Sequence, residues 1–192
     1  MKKNDKSSFT LIELVIVTSM MAVIALAIYT TFNNGIKIWQ RANSAVLEED
    51  LNIFFDKFGS DLRNCFNSGN IGFFGQKDTL EFATLVNSLR LQKRAIGKVT
   101  YSYDSANGSI TREQLDSSGL YSGKGDPARE LLKNVKSVEL YYYFYANERN
   151  EYLWDDQWIA GKAPIAVRIE LEIEHGNETS RYTKTVSVPV GG

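Results

Sequence analysis

The chain has 192 residues, of which 43% are apolar and 23% charged, with a formal net charge of −1. That length builds one hydrophobic core rather than two, and a near-neutral balance gives no electrostatic ground for binding nucleic acid. The lone cysteine, Cys65, excludes a disulfide within the chain, and the lone histidine, His175, leaves no His/Cys spacing for a metal and no motif for a catalytic triad.

The first predicted element is a membrane span. Lys2, Lys3 and Lys6 lead into an apolar run from Phe9 to Tyr29 that is interrupted only by Glu13. Roughly 21 helical residues reach ~31 Å, enough to cross a bilayer core of about 30 Å. The lysines favour a cytoplasmic N-terminus, which puts the chain from about Asn33 onward outside the membrane. A secretory signal carries a shorter apolar stretch, about 7–15 residues, followed by a small-residue cleavage site. Here hydrophobicity continues through Ile28. Glu13 has two readings. Thr10-Leu11-Ile12-Glu13 matches a capping box at a helix start. Alternatively the acid has a partner, since a carboxylate in lipid costs roughly 2.5–3.5 kcal/mol.

The helix is predicted to continue to about Phe66, with a bend near Asn33-Asn34-Gly35. Leu47, Leu51, Phe54, Phe58, Leu62 and Cys65 recur every three or four residues as one helical stripe. Glu48, Glu49, Asp50, Asp56, Lys57 and Asp61 are assigned to the other faces. Such an amphipathic half must lie on something, and a sheet is the natural support.

Strands follow. Leu80 to Val86 is a short apolar-rich strand. Val99, Tyr101 and Tyr103 alternate with polar residues, and Asn107-Gly108 then turns the chain into Ile110 to Leu115, a hairpin signal. Val138, Leu140, Tyr142 and Phe144 alternate in an aromatic run. In 166–174, Val167, Ile169, Leu171 and Ile173 face one way, and Arg168, Glu170, Glu172 and Glu174 the other. His175-Gly176-Asn177 turns into a last strand, Arg181 to Val190. Stretches 116–128 and 146–163 read as loops.

The segment Ser8-Phe9-Thr10-Leu11-Ile12-Glu13-Leu14 resembles the processing site of type IV pilins and pseudopilins. The resemblance implies that a prepilin peptidase cuts between Ser8 and Phe9 and methylates the Phe9 amine. Glu13 then becomes the fifth mature residue and is expected to pair with the Phe9 amine of an adjacent subunit, or with that of its own chain one turn away. Ser8 stands where the family prefers Gly, and Thr30 where many major pilins carry Pro. Further along, Val99-Thr-Tyr-Ser-Tyr, Ile110-Thr-Arg112, Leu131-Leu132-Lys-Asn-Val135, Trp154, Trp158 and Pro164-Ile-Ala-Val167-Arg168 are similar to J-type minor pseudopilins of type II secretion.

That resemblance implies an α+β fold: a long pilin-like N-terminal transmembrane α-helix packed on an antiparallel β-sheet globular domain. The expected organisation is a leader at 1–8, a transmembrane segment at 9–31, an amphipathic continuation at 32–66 and a periplasmic β-rich domain at 67–192. It implies a single-pass inner-membrane subunit at or near the tip of the pseudopilus. Its partners would be the I-type and K-type minor pseudopilins, the major pseudopilin, the prepilin peptidase and membrane lipid, with no cofactor and no enzymatic activity. The alternative is a minor pilin of a type IV pilus or competence system. A third class, a membrane-tethered enzyme or receptor, lacks a catalytic constellation. Trp154 and Trp158, with Tyr152, are candidate interface residues, since Trp, Tyr and Arg are enriched at interface hot spots; they equally suit a lid over the core. The acids of 147–156 lack the order of an EF-hand loop and read as a solvated loop rather than a calcium site.

Overall fold

The computed structural model describes residues 10–88, 92–122, 126–175 and 178–191. The chain divides into two compact units, up to Leu47 and from Glu48 onward. One helix, α1 (Leu11–Arg63), supplies the first unit and the opening of the second.

In the first unit every apolar side chain of the early helix is exposed, including Leu11, Ile16, Met20, Ile24 and Ile28. No charged residue falls between Leu14 and Ile36. The stretch Leu11–Trp39 is long and apolar enough to cross a membrane and has no residue buried within the protein, which separates it from a core helix. Its few hydroxyls are satisfied along the helix itself. Thr18 donates to Leu14 O at 3.0 Å, Ser19 to Ile16 O at 2.8 Å and Thr31 to Ala27 O at 2.8 Å. In lipid, where no water competes, such back-bonding removes the cost of an unpaired polar group. The helix runs unbroken through 33–35, so the residues expected to bend it are helical.

In the second unit, the predicted stripe is the buried face of α1. Leu51, Phe54, Phe58, Leu62 and Cys65 are all buried. The helix ends at Arg63, short of the predicted Phe66, where Cys65 N–H tightens back onto Leu62 O at 3.1 Å and Asn64 Nδ2 caps Ser60 O at 2.7 Å.

The strands are β1 (Phe73–Gly75), β2 (Thr79–Ser88), β3 (Lys93–Asp104), β4 (Ser109–Asp116), β5 (Arg129–Leu132), β6 (Val135–Ala146), β7 (Glu151–Asp155), β8 (Trp158–Gly161), β9 (Ala166–His175) and β10 (Glu178–Ser187). They form a six-stranded sheet in the order β5-β4-β3-β2-β1-β8 and a four-stranded sheet in the order β10-β9-β6-β7, with antiparallel pairing between neighbours. The N-terminal helix and antiparallel sheets are the expected α+β architecture. A short helix, α2 (Ser117–Ser122), lies within the predicted loop 116–128, started by Asp116 accepting the Gly119 N–H at 2.7 Å. The predicted loop 146–163 is corrected more substantially, because it contains β7 and β8. The former has no alternation of buried and exposed positions to betray it. Of the predicted turn at 175–177, Gly176 and Asn177 lie outside the described residues.

The β3–β4 hairpin forms where Asn107-Gly108 predicts it. Asp104 accepts the Ala106 N–H at 2.9 Å and Asn107 Nδ2 at 2.6 Å, and Gly108 supplies the positive φ of 59°. These hydrogen bonds, that of the Asn107 side chain foremost, hold the Asp104 carboxyl below its usual range. The two sheets meet at the β1–β2 turn. Leu140 N–H donates to Lys77 O at 2.8 Å, and Tyr142 OH to Gln76 O at 2.7 Å. A Cβ on Gly75 would fall 2.2 Å from Tyr142, so a glycine is required for that ring to lie against β1.

Candidate functional site

The helix start carries the first candidate. Thr10 N–H donates to Glu13 Oε2 at 3.5 Å and Glu13 N–H to Thr10 Oγ1 at 3.4 Å, with Thr10 Oγ1 also 3.3 Å from Glu13 Oε2. This is the reciprocal arrangement of a capping box, drawn long, at the outer limit of hydrogen-bond distances. The chain thus closes its own helix end while leaving the carboxylate exposed and weakly held. Ser8 and Phe9, the residues of the expected cut, lie outside the described residues.

The second feature ties α1 to the sheet, and sequence reasoning missed it. The sequence pattern places Asp61 on a face of the helix other than the apolar stripe. It is instead buried at 3% exposure, which corrects that expectation. Its carboxylate accepts Arg112 Nε at 2.7 Å, Tyr101 OH at 2.7 Å and Lys57 Nζ at 3.0 Å. Its carbonyl accepts Thr84 Oγ1 at 2.9 Å. Arg112 Nη1 continues to Gln114 Oε1 at 2.9 Å, and Gln114 Nε2 to Asp126 at 2.8 Å. Charge-assisted bonds of this kind hold strongly once desolvated, and Asp61 meets β3 and β4 through them. Tyr101 is forced well above the usual phenol range, chiefly by burial and then by the neighbouring Asp61 charge. The signal was present in the spacing. Asp61 is three residues after Phe58 and four before Cys65, hence beside the buried stripe, and Arg112 follows the buried Ile110 by two on β4.

The third feature is an aromatic surface on the four-stranded sheet. Tyr141, Tyr143 and Tyr145 on β6 share a face with Tyr152 and Trp154 on β7, through the Tyr143↔Trp154 and Tyr145↔Tyr152 pairs. The Arg168 guanidinium sits 4.5 Å from the Trp154 ring and 4.9 Å from Tyr141. Behind it, Glu170 lies 3.2 Å from Arg168 and 2.6 Å from Arg181. Glu139 accepts Tyr141 OH at 2.8 Å and pairs with Lys77 at 3.0 Å, and these two bonds hold its carboxyl below the usual range. Of the candidate interface residues, Tyr152 and Trp154 lie on this face at the sheet edge. Trp158 is separate: it half-buries its ring against Phe144, 5.1 Å away, and donates Nε1–H to Lys162 O at 2.6 Å. Among the described residues, no group of three or more His, Cys, Asp or Glu side chains converges as a metal set.

An apolar N-terminal helix that runs on into an amphipathic half, seated on an antiparallel sheet, defines a pilin-like protein. The family model for protein J of the type II secretion system (T2SS) matches residues 37–185. The chain belongs to that family. It is a minor pseudopilin of the type II secretion pseudopilus, a structural subunit rather than an enzyme, and the match decides against the pilus or competence alternative. No curated protein matches the chain.

Proposed function

We propose that this chain is matured by cleavage between Ser8 and Phe9 and assembles through its helix at or near the pseudopilus tip. The leader would then be 1–8, the membrane segment 9–31 and the amphipathic continuation 32–66, helical as far as Arg63. The domain 67–192 would face the periplasm, with the N-terminus cytoplasmic as Lys2, Lys3 and Lys6 favour. The observation that carries this reading is Glu13. It is the one acid of the apolar half of α1, it stands one turn from Phe9, and its internal cap is long and weak. Cleavage would create a cation at Phe9 beside that acid. Two such charges about 4 Å apart attract by roughly 4 kcal/mol at an effective dielectric near 20, comparable with the cost of placing the carboxylate in lipid.

The partners in this reading are the I-type and K-type minor pseudopilins and the major pseudopilin, with the prepilin peptidase acting first. Tyr152, Trp154 and Trp158 are the candidate contacts of the domain. Mass spectrometry of protein extracted from peptidase-bearing membranes tests it. The expected N-terminus is methylated Phe9, and Glu13→Ala should leave cleavage intact while reducing co-purification with the other pseudopilins. An intact Met1 in the presence of the peptidase sinks the maturation step. Undiminished assembly by Glu13→Ala leaves that residue only its capping role.

A further inference from the structure

The β6–β7 hairpin ends in an open cleft of about 650 Å³, lined among others by Tyr145, Glu148, Leu153, Trp154 and Asp155. Tyr152, which is 57% exposed, stands beside Tyr145 with ring centroids 5.0 Å apart. Around these rings the segment 148–156 carries the acids Glu148, Glu151, Asp155 and Asp156 against a single cation, Arg149. All four acids are exposed, and among the described residues none of them forms an ion pair, whereas Glu81, Glu130, Glu139 and Glu170 are all paired. The chain already shows what this surface accepts. Arg168 covers Trp154, while the rings of Tyr145 and Tyr152 have no cation over them among the described residues. In addition, β7 is the free edge of the four-stranded sheet.

We propose that this cleft takes an extended segment of another subunit of the same assembly that bears arginine or lysine. The segment adds along the β7 edge, and its alternate side chains reach the face that carries Tyr152 and Trp154. A cation over a tyrosine face is attracted by the ring, and the unpaired carboxylates at the rim steer it in. The choice of a subunit segment as the occupant rests on the assembly reading given above. The choice of cationic chemistry rests on the cleft alone.

The test uses the full chain in uncharged detergent micelles and two labelled probes, a tetra-arginine peptide and its uncharged counterpart, tetra-citrulline. Anisotropy should show the arginine peptide binding about tenfold tighter at low salt, with the difference shrinking as salt rises. Glu148→Gln with Asp155→Asn, both at exposed positions, should erase most of that difference, and Tyr152→Ala should weaken binding separately. Neutralising Glu48, Glu49 and Asp50 on the helix should change nothing. Equal binding of the two peptides, or loss in the helix variant with none in the cleft variant, overturns the proposal. Co-purification from membranes then tests the occupant. The cleft variant should recover less of one partner subunit, and full recovery overturns the assignment of a subunit segment. If the wild-type chain itself recovers no partner, the assembly reading fails, while the peptide arm still decides whether the cleft binds cations.

Discussion

The two halves of α1 are built for different surroundings. From Leu11 to Trp39 the helix is apolar on all sides, and none of its described side chains is buried. From Leu51 to Leu62 it carries one narrow apolar stripe, and that stripe is fully covered. The first half relies on lipid or neighbouring subunits to remove its surface from water. The second half brings its own partner and adds a buried polar tie. Continuity of a helix thus says nothing about continuity of its environment. Hydrophobic pattern, all-round against one-sided, separates the two.

The largest expected effect breaks the polar tie. Arg112→Met leaves the Asp61 carboxylate buried with fewer donors and should cost about 3–5 kcal/mol in urea unfolding. Asp61→Leu combined with Arg112→Met should cost markedly less than Arg112→Met alone, because no uncompensated charge remains buried. In the first half, Thr18→Ala removes a hydroxyl that bonds only its own helix and should leave domain stability unchanged. A single-variant loss below about 1 kcal/mol would show that the tie is weaker than its geometry implies.

A smaller effect probes the meeting of the two sheets. Gly75→Ala puts a methyl where Tyr142 now lies and should destabilise the domain by about 1–3 kcal/mol through overpacking. The membrane half should be indifferent to it. Circular-dichroism melts of Gly75→Ala and the unmodified chain in the same detergent would check this, and an unchanged midpoint for Gly75→Ala would mean that the ring moves aside freely.

A third effect is a pH dependence. Burial pushes the Cys65 thiol up to about 12 from an ordinary 9.0. Between those values the unfolded chain has lost the proton and the folded chain has kept it, so stability falls as pH rises. Burial raises Tyr101 and Tyr142 in the same direction, adding to the loss above about pH 10. Urea midpoints should therefore decline from about pH 9 upward, and Cys65→Ala should delay the onset to about pH 10. A flat profile to pH 11 or a rising one runs against the buried placement of these groups.

Much of this was legible because single-sided burial writes a period into the chain. The β9 alternation of Val167, Ile169, Leu171 and Ile173 is buried as expected, with Arg168, Glu170 and Glu172 on the other face. The stripe of α1 and the Asn107-Gly108 turn were equally plain. The strands β7 and β8 were not, because short edge strands with exposed residues on both faces carry no period. Asp61 was misplaced for a different reason. An acid reads as solvent-facing until its partners are known, and Arg112 and Tyr101 lie 51 and 40 residues away in sequence. Glu13 was legible as a capping residue, and the cap is present. The aromatic face was half-legible: Trp154 and Tyr152 were singled out, but the cover from Arg168 depends on strand register.

The most direct test of the two-environment account is spin-label accessibility along α1 in reconstituted bilayers, on a Cys65→Ala background. Nitroxides placed singly at Met20, Ile24, Asn52 and Asp56 report access to oxygen, which concentrates in lipid, and to a water-soluble nickel chelate. The account predicts high oxygen and low nickel access at Met20 and Ile24, with the reverse at Asn52 and Asp56. Nickel access at Met20 and Ile24 equal to that at Asn52 would contradict it.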